Sequence, residues 1–227
     1  MNTHDGDARV QGKARVFVVD DHPIVRKGLA QLVAHESDIA ICGGTDNVTD
    51  ALAQIRILNP DLVVVDLSLK DSHGLDLLEQ IKVQFGGLRT LVWSMYDEKV
   101  YAERALRAGA LGYVNKQESI GQLIAAIRQV LSGEMYLSAT MTRELIRRVR
   151  AGAPVESDPV QTLSNRELEV FEMIGNALTT QQIARKLQLS PKTVEAHREK
   201  IKSKLKLANA AELNRRAVQW VLEGGGV

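Results

Sequence analysis

Between Arg15 and about residue 134, short runs of β-branched and apolar residues alternate five times with stretches of helical spacing. The runs lie near 15–19, 38–42, 61–65, 89–94 and 111–114. In the stretches between them apolar residues recur three and four apart. Ile24, Leu29, Leu32 and Val33 form one such stripe, and Val48, Ala51, Leu52, Ile55 and Leu58 the next. Leu75, Leu78 and Ile81 follow, then Val100, Ala105 and Leu106, and last Ile120, Leu123, Ile127 and Leu131. Strict alternation with helix-long connections means right-handed crossovers and a parallel sheet covered on both faces. The pattern predicts an α/β fold with a doubly wound five-stranded parallel sheet; the order 2-1-3-4-5 would set the first and third strands side by side, as the acidic residues that close them require.

That adjacency matters because of the residues that close these two strands. The runs read Arg15-Val-Phe-Val-Val-Asp20-Asp21 and Asp61-Leu-Val-Val-Val-Asp66. A carboxylate just past a buried strand lies at the carboxyl edge of the sheet, where such folds place their ligand crevices. Asp20, Asp21 and Asp66 would therefore share one pocket. Three like charges that close stay ionised only with a cation among them, so the cluster implies a divalent metal. A carboxylate beside such a cation can attack a phosphoryl donor and become an aspartyl phosphate. Ser94 ends the fourth run and Lys116 follows the fifth, at the same sheet edge; a hydroxyl and an ammonium suit the phosphoryl oxygens.

A chain of 227 residues exceeds the usual size of one domain. Its near-neutral charge is unevenly divided: residues 14–136 hold 12 Lys+Arg against 16 Asp+Glu, and residues 162–227 hold 11 against 7. One half suits a cation and the other a polyanion. The lone Cys42, in an apolar run, is read as a small core residue and excludes an internal disulfide. No apolar run approaches a membrane span, and the polar start Met1-Asn-Thr-His-Asp5 is no signal peptide, so a cytoplasmic setting without membrane is expected.

A helix over residues 139–150 leads into Ala151-Gly-Ala-Pro-Val-Glu-Ser-Asp-Pro-Val160, whose prolines, glycine and missing apolar period mark a linker. The expected division is a first domain over 14–136, a linker helix and flexible linker over 137–161, and a second domain over 162–227. After the linker the strand signals vanish. Ser164 and Glu167 have capping-box spacing and open a helix with Leu168, Phe171 and Ile174 on one side. Further helices fit 180–187, 191–205 (Ser190 as N-cap, Pro191 at its first position) and 210–222. Four short helices with a tight turn at Gln188-Leu-Ser190 form a small all-α helix-turn-helix domain.

On the third of these helices Val194, Ile201 and Leu205 share the packed face. Lys192, Thr193, Glu195, Ala196, Glu199 and Ser203 lie away from it, where a recognition helix meets the major groove. Arg198, Lys202 and Lys204 flank that face and suit phosphates, and Glu195 or Glu199 could accept from cytosine. Thr180 and Gln181 would offer backbone NH groups to phosphate. His197, at the edge of the packed face, is read either as a structural residue, the preferred reading in the free protein, or as a phosphate contact on DNA. Leu213, Ala217 and Trp220 on the last helix are expected at a dimer surface.

These residues carry a family resemblance. Asp20-Asp21-His22-Pro23, Asp66 with Ser68 and Gly74 downstream, Ser94, and Gly112-Tyr-Val-Asn-Lys116 resemble the receiver domain of two-component response regulators, a flavodoxin-like fold. Leu163-Ser-Asn-Arg-Glu-Leu-Glu169 through Ser190-Pro-Lys-Thr-Val-Glu-Ala-His197 resembles the LuxR-type helix-turn-helix. Together, from Arg15 to Trp220, they resemble the NarL/FixJ subgroup. The resemblance implies Asp66 as phosphoacceptor for a sensor histidine kinase, and Mg²⁺ bound directly by Asp21, mostly through water by Asp20, and by Asp66 and the Ser68 carbonyl. It implies Ser94 and Lys116 as phosphoryl-binding residues, with Tyr113 as a switch aromatic. It further implies a homodimer on activation, bound to double-stranded DNA, and no enzyme. Lys70 and Gln117 depart from the commonest receiver pattern, each standing where a proline is frequent; without the proline a cis bond after Lys116 would cost about 3 kcal/mol.

Two other readings differ in class. An aspartyl-phosphate phosphohydrolase would carry an acid two residues past its nucleophile, and that position is Ser68. A DNA-binding regulator whose receiver serves only dimerisation would not need the full set of Asp20, Asp21, Asp66, Ser94 and Lys116. Tyr96 and Ser68, two residues past Ser94 and Asp66, offer no base to orient an attacking water, so slow loss of phosphate is expected.

Overall fold

The computed structural model describes residues 12–69, 73–151 and 159–225. The polar start of the chain, Lys70 and linker residues 152–158 lie outside them. The N-terminal half runs β1 (Ala14–Val19), α1 (Pro23–Val33), β2 (Ile39–Thr45), α2 (Val48–Leu58), β3 (Leu62–Val65), α3 (Gly74–Gln84), β4 (Arg89–Ser94), α4 (Glu98–Ala108), β5 (Gly112–Asn115) and α5 (Ile120–Leu131). The strands pair in parallel in the order β2-β1-β3-β4-β5, the order expected from the need to bring the acidic ends of the first and third strands together. All four residues of β3 are buried, as expected of a central strand covered on both faces.

Two apolar layers sandwich the sheet. One, against α1 and α5, holds Val16, Val18, Leu29, Val64, Leu91, Leu123 and Ile127. The other, against α2, α3 and α4, holds Phe17, Val63, Val65, Ile55, Leu78 and Tyr101. Gly74 opens α3 pressed against the end of β3: a Cβ there would stand 2.1 Å from the Asp66 carbonyl oxygen. Only glycine allows that approach, which fixes the loop carrying Asp66 and Ser68. Beyond α5, Tyr136 adds to the β5 edge: Tyr113 N donates to its carbonyl at 3.0 Å and its own N donates to Leu111 O at 3.0 Å.

Helix α6 (Ala139–Ala151) extends one residue past its expected end, and the linker's own end is structured, Pro159–Thr162 forming a 3₁₀ turn with Val160 buried. Helices α7 (Asn165–Gly175), α8 (Thr180–Lys186), α9 (Pro191–Leu205) and α10 (Ala210–Trp220) follow, the last running into a π turn at Val221–Gly225. The Ser164–Glu167 capping box forms, Ser190 caps α9 with Pro191 in its first turn, and Gln188 takes φ 54° in the turn before α9. Cys42 is half-buried on β2 rather than fully in the core. No cis peptide bond occurs among the described residues, so the bond after Lys116 is trans.

The apolar layer over α3 and α4 does not stop at the first half. The same cluster takes in Val160, Leu163, Leu168, Phe171, Ile183, Val194 and Ile201. Arg104 of α4 ties the junction, donating to the carbonyls of Leu163 (2.9 Å), Val160 (3.2 Å) and Gln161 (3.4 Å).

Candidate functional site

The carboxyl ends of β1 and β3 put Asp20 and Asp66 side by side, and Lys116, just past β5, reaches both. Its Nζ stands 2.6 Å from Asp20 Oδ2 and 2.5 Å from Asp66 Oδ2. Burial alone would lower the lysine pKa, but the Asp66 and Asp20 carboxylates outweigh it and hold it above the ordinary value. Burial pushes Asp66 up, against the pull of Lys116 and a hydrogen bond from Ser94. Asp66 Oδ1 also accepts from Ser68 N at 3.2 Å. Ser94 is fully buried at the end of β4. The five pocket residues expected from the strand ends thus converge on one site.

Asp21 stands beside them, its Oδ1 2.6 Å from His22 Nδ1. That oxygen is buried, and with the His22 ring nitrogen as its close polar neighbour it keeps lone pairs for a cation. Ligand atoms of Asp20, Asp21, His22 and Asp66 all lie within 4.8 Å of one another. A mainly oxygen donor set of this size fits a hard divalent cation such as Mg²⁺.

Tyr113 is buried, and its hydroxyl donates to the Tyr96 carbonyl at 2.8 Å. Tyr96 in turn donates its backbone N–H to Ser94 Oγ at 3.4 Å. Its ring does not swing into solvent: the hydroxyl bonds the carboxylate of Glu169 on α7 and lies within hydrogen-bonding reach of the Ser68 side chain. One helix turn along, Tyr101 OH donates to Glu172 Oε2 at 3.0 Å. Burial, and then the facing glutamates, push both phenol pKa values well above the ordinary range, so both tyrosines act as neutral donors. Sequence reasoning assigned no role to Glu169 and Glu172; their i, i+3 spacing beside the Leu168–Phe171 stripe was the only available sign.

In the C-terminal half Lys192, Thr193, Glu195, Ala196, Glu199 and Ser203 are exposed on α9, clear of the first half. Gln181 is exposed, and Thr180 is half-buried with its Oγ1 donating to Glu195 Oε1 at 2.7 Å. Arg198 and Lys202 are half-buried; Lys202 pairs with Glu199 at 2.9 Å, and Arg198 NH2 donates to Asn214 at 3.3 Å. His197 is half-buried, its Nδ1 without a partner and its pKa lowered by burial. Lys204 departs from the expected phosphate contact, because its Nζ pairs with buried Glu167 at 2.6 Å.

The expected dimer residues need correcting. Leu213 and Ala217 are 0 % exposed and Trp220 7 %, with Trp220 packed on Phe171 at 5.6 Å between ring centroids. They form the α10 stripe that packs on α7, so they belong to the domain's own core. The outward side of α10 carries Asn214, Arg215, Val218 and Gln219, continued by Leu222, which is 82 % exposed.

Residues 16–128 match the family model for the response regulator receiver domain, and residues 161–217 match that for bacterial regulatory proteins of the luxR family. The response regulator GacA of Pseudomonas aeruginosa is 33 % identical over 206 residues, spanning 90 % of this chain and 95 % of that one. The nitrate/nitrite response regulator protein NarL of Escherichia coli is 31 % identical over 211 residues, spanning 93 % and 96 %. The chain belongs to the NarL/FixJ-type response regulators. It is a two-component regulator with a receiver and a LuxR-type DNA-binding domain, in a family of transcription factors rather than enzymes. The crystal structure of a LuxR-family response regulator from Aurantimonas sp. SI85-9A1 is 32 % identical to it, with a TM-score of 0.57 over 60 % of this chain and 98 % of that one. No described helix of the regulator is long and apolar enough to cross a membrane.

Proposed function

We propose that this regulator accepts a phosphoryl group on Asp66 from a phosphohistidine of a sensor histidine kinase, in the cytoplasm, and thereby controls its pairing on double-stranded DNA. Residues 14–136 act as the receiver, 137–161 connect, and 162–227 bind DNA. The observation that carries this reading is the placement of Asp66 between Lys116 and Ser94, with Asp20 and Asp21 alongside. An Asp66 carboxylate oxygen bonds to phosphorus as the bond from phosphorus to the donor's imidazole nitrogen breaks. Lys116 and Ser94 take the transferred oxygens, supplying charge and a donor at a site where Asp20, Asp66 and Ser94 are buried. Asp20, Asp21, Asp66 and the Ser68 carbonyl would hold Mg²⁺, which when bound neutralises the phosphoryl oxygens. As phosphate enters, Ser94 draws on its link to Tyr96, and Tyr113 is free to change rotamer.

On the DNA side, Lys192, Thr193, Glu195, Ala196 and Glu199 present the base-reading face of α9. Arg198, Lys202, His197 and the α8 start at Thr180 and Gln181 flank it toward phosphates. Two such modules pair through the outward face of α10, around Val218 and Leu222. Incubation with Mg²⁺ and acetyl phosphate, followed by intact mass, tests the first step. The wild type gains one phosphoryl mass and Asp66→Asn gains none; equal labelling of both would refute Asp66.

A further inference from the structure

The DNA-binding half reaches into the mouth of the phosphorylation pocket. Ser68 and Tyr96 stand on its two sides, two residues past Asp66 and two past Ser94. Tyr96 spans the gap: its N–H is bonded to Ser94 Oγ, its carbonyl accepts from Tyr113 OH and Asn115 Nδ2, and its hydroxyl meets Ser68 and Glu169. Glu169 is 2 % exposed and is itself held by Arg166 NH1 at 2.6 Å. His73, which bridges to Ser68, stacks on the rings of Tyr96 and Tyr101; His73 and Tyr101 are buried and Tyr96 is half-buried. Tyr101–Glu172 and Arg104 continue the same seam on α4.

Resting on the reading of Asp66 as phosphoacceptor, we infer that Glu169 is a positioning residue for phosphoryl transfer: through the Tyr96 hydroxyl it holds that ring across the pocket, so a donor reaches Asp66 only when α7 lets go. Three features of the geometry support this. The phenol cannot move out while its hydrogen bond to a buried carboxylate persists, and such charge-assisted bonds are the stronger kind. Arg166 holds Glu169 in place from its other side at 2.6 Å, so the acceptor that fixes the Tyr96 ring is itself fixed. The backbone of the same tyrosine is tied to Ser94, so a change in Ser94 bears directly on the residue that holds the two halves. By linkage, whatever releases α7 favours the phosphorylated form, and phosphorylation favours release of α7; the rate rises because the ring no longer stands in the donor's way. The α9 face is exposed in the closed form, so the contact governs how the two modules are placed relative to one another and not access to that helix.

The test uses the full chain, Mg²⁺ and acetyl phosphate at fixed concentration, with labelling followed by intact mass and compactness by small-angle scattering. Tyr96→Phe keeps the ring and loses the hydroxyl; Glu169→Ala loses the acceptor; Glu169→Gln keeps an acceptor oxygen. Arg104→Ala loosens the seam away from the pocket. Tyr96→Phe, Glu169→Ala and Arg104→Ala are expected to scatter as more open particles and to label roughly tenfold faster, the factor carried by one hydrogen bond to a charged group. Glu169→Gln should fall much nearer to wild type. Wild-type rates in the opened variants overturn the inference, as do unchanged scattering radii in all of them. Failure of every form to label, wild type included, contradicts Asp66 as phosphoacceptor instead, and the radii then decide the Glu169 contact on their own.

Discussion

The hydroxyl of Tyr96 donates to the carboxylate of Glu169, 73 residues further along and in the other half of the molecule. The bond joins the strand end that carries Ser94 to the first helix of the DNA-binding domain. Ser94 of the pocket and Tyr96, which makes the bond to the other half, are therefore two residues apart on β4 and its loop.

Lys116 neutralises two buried carboxylates, so Lys116→Met should lower stability by about 3–5 kcal/mol, the cost of breaking a buried ion pair from one side. Added Mg²⁺ should restore part of that loss while labelling stays impaired, since the cation replaces the charge but not the phosphoryl contact. Thermal unfolding with and without Mg²⁺ checks both.

The Glu167–Lys204 pair gives the DNA-binding domain a pH dependence. Burial alone would raise Glu167, but Lys204 and the Ser164 N–H hold its pKa below the ordinary 4.5. A carboxyl depressed on folding stabilises above its unfolded value and loses that contribution as pH falls through the folded one. Lys204→Met should therefore cost roughly 1–2 kcal/mol near neutral pH. Its unfolding curve should converge on wild type in acid below 4.5, and a gap that widened there would contradict the pairing.

On α9 the two contact types should separate. Lys202→Ala should weaken binding to all DNA sequences alike and reduce the salt slope by about one per module. Glu195→Ala should shift base preference at one position by roughly 1–3 kcal/mol. The same consensus from randomised-site selection with Glu195→Ala as with wild type would show that this face does not read bases.

The two faces of α10 should also part. Trp220→Ala should destabilise the domain by about 3–5 kcal/mol, because it empties core volume beside Phe171. Val218→Asp, on a residue 39 % exposed, should leave folding intact and abolish pairing of the phosphorylated protein in sedimentation.

The sheet and its pocket were legible because a strand repeats every two residues and ends at a defined edge. Asp20, Asp66, Ser94 and Lys116 each follow a β-branched run, so sequence position alone put them on one side. The α10 assignment failed for the opposite reason. The stripe Leu213, Ala217 and Trp220 reads the same whether a helix packs on its own domain or on a partner, and only the position of α7 decides. Glu169 and Glu172 carried no sign of their role because their donors, Tyr96 and Tyr101, come from the other half of the chain. Lys204 reads as a phosphate contact until the fold places Glu167, 37 residues earlier on another helix, beside it.

Control of DNA binding by phosphate on Asp66 is tested most directly by a DNA titration of the full chain at fixed salt, with and without Mg²⁺ and acetyl phosphate. The wild type should bind its selected site more tightly and as a pair after phosphorylation, while Asp66→Asn should keep the weaker affinity under both conditions. Equal affinity of the wild type before and after confirmed labelling would contradict the account.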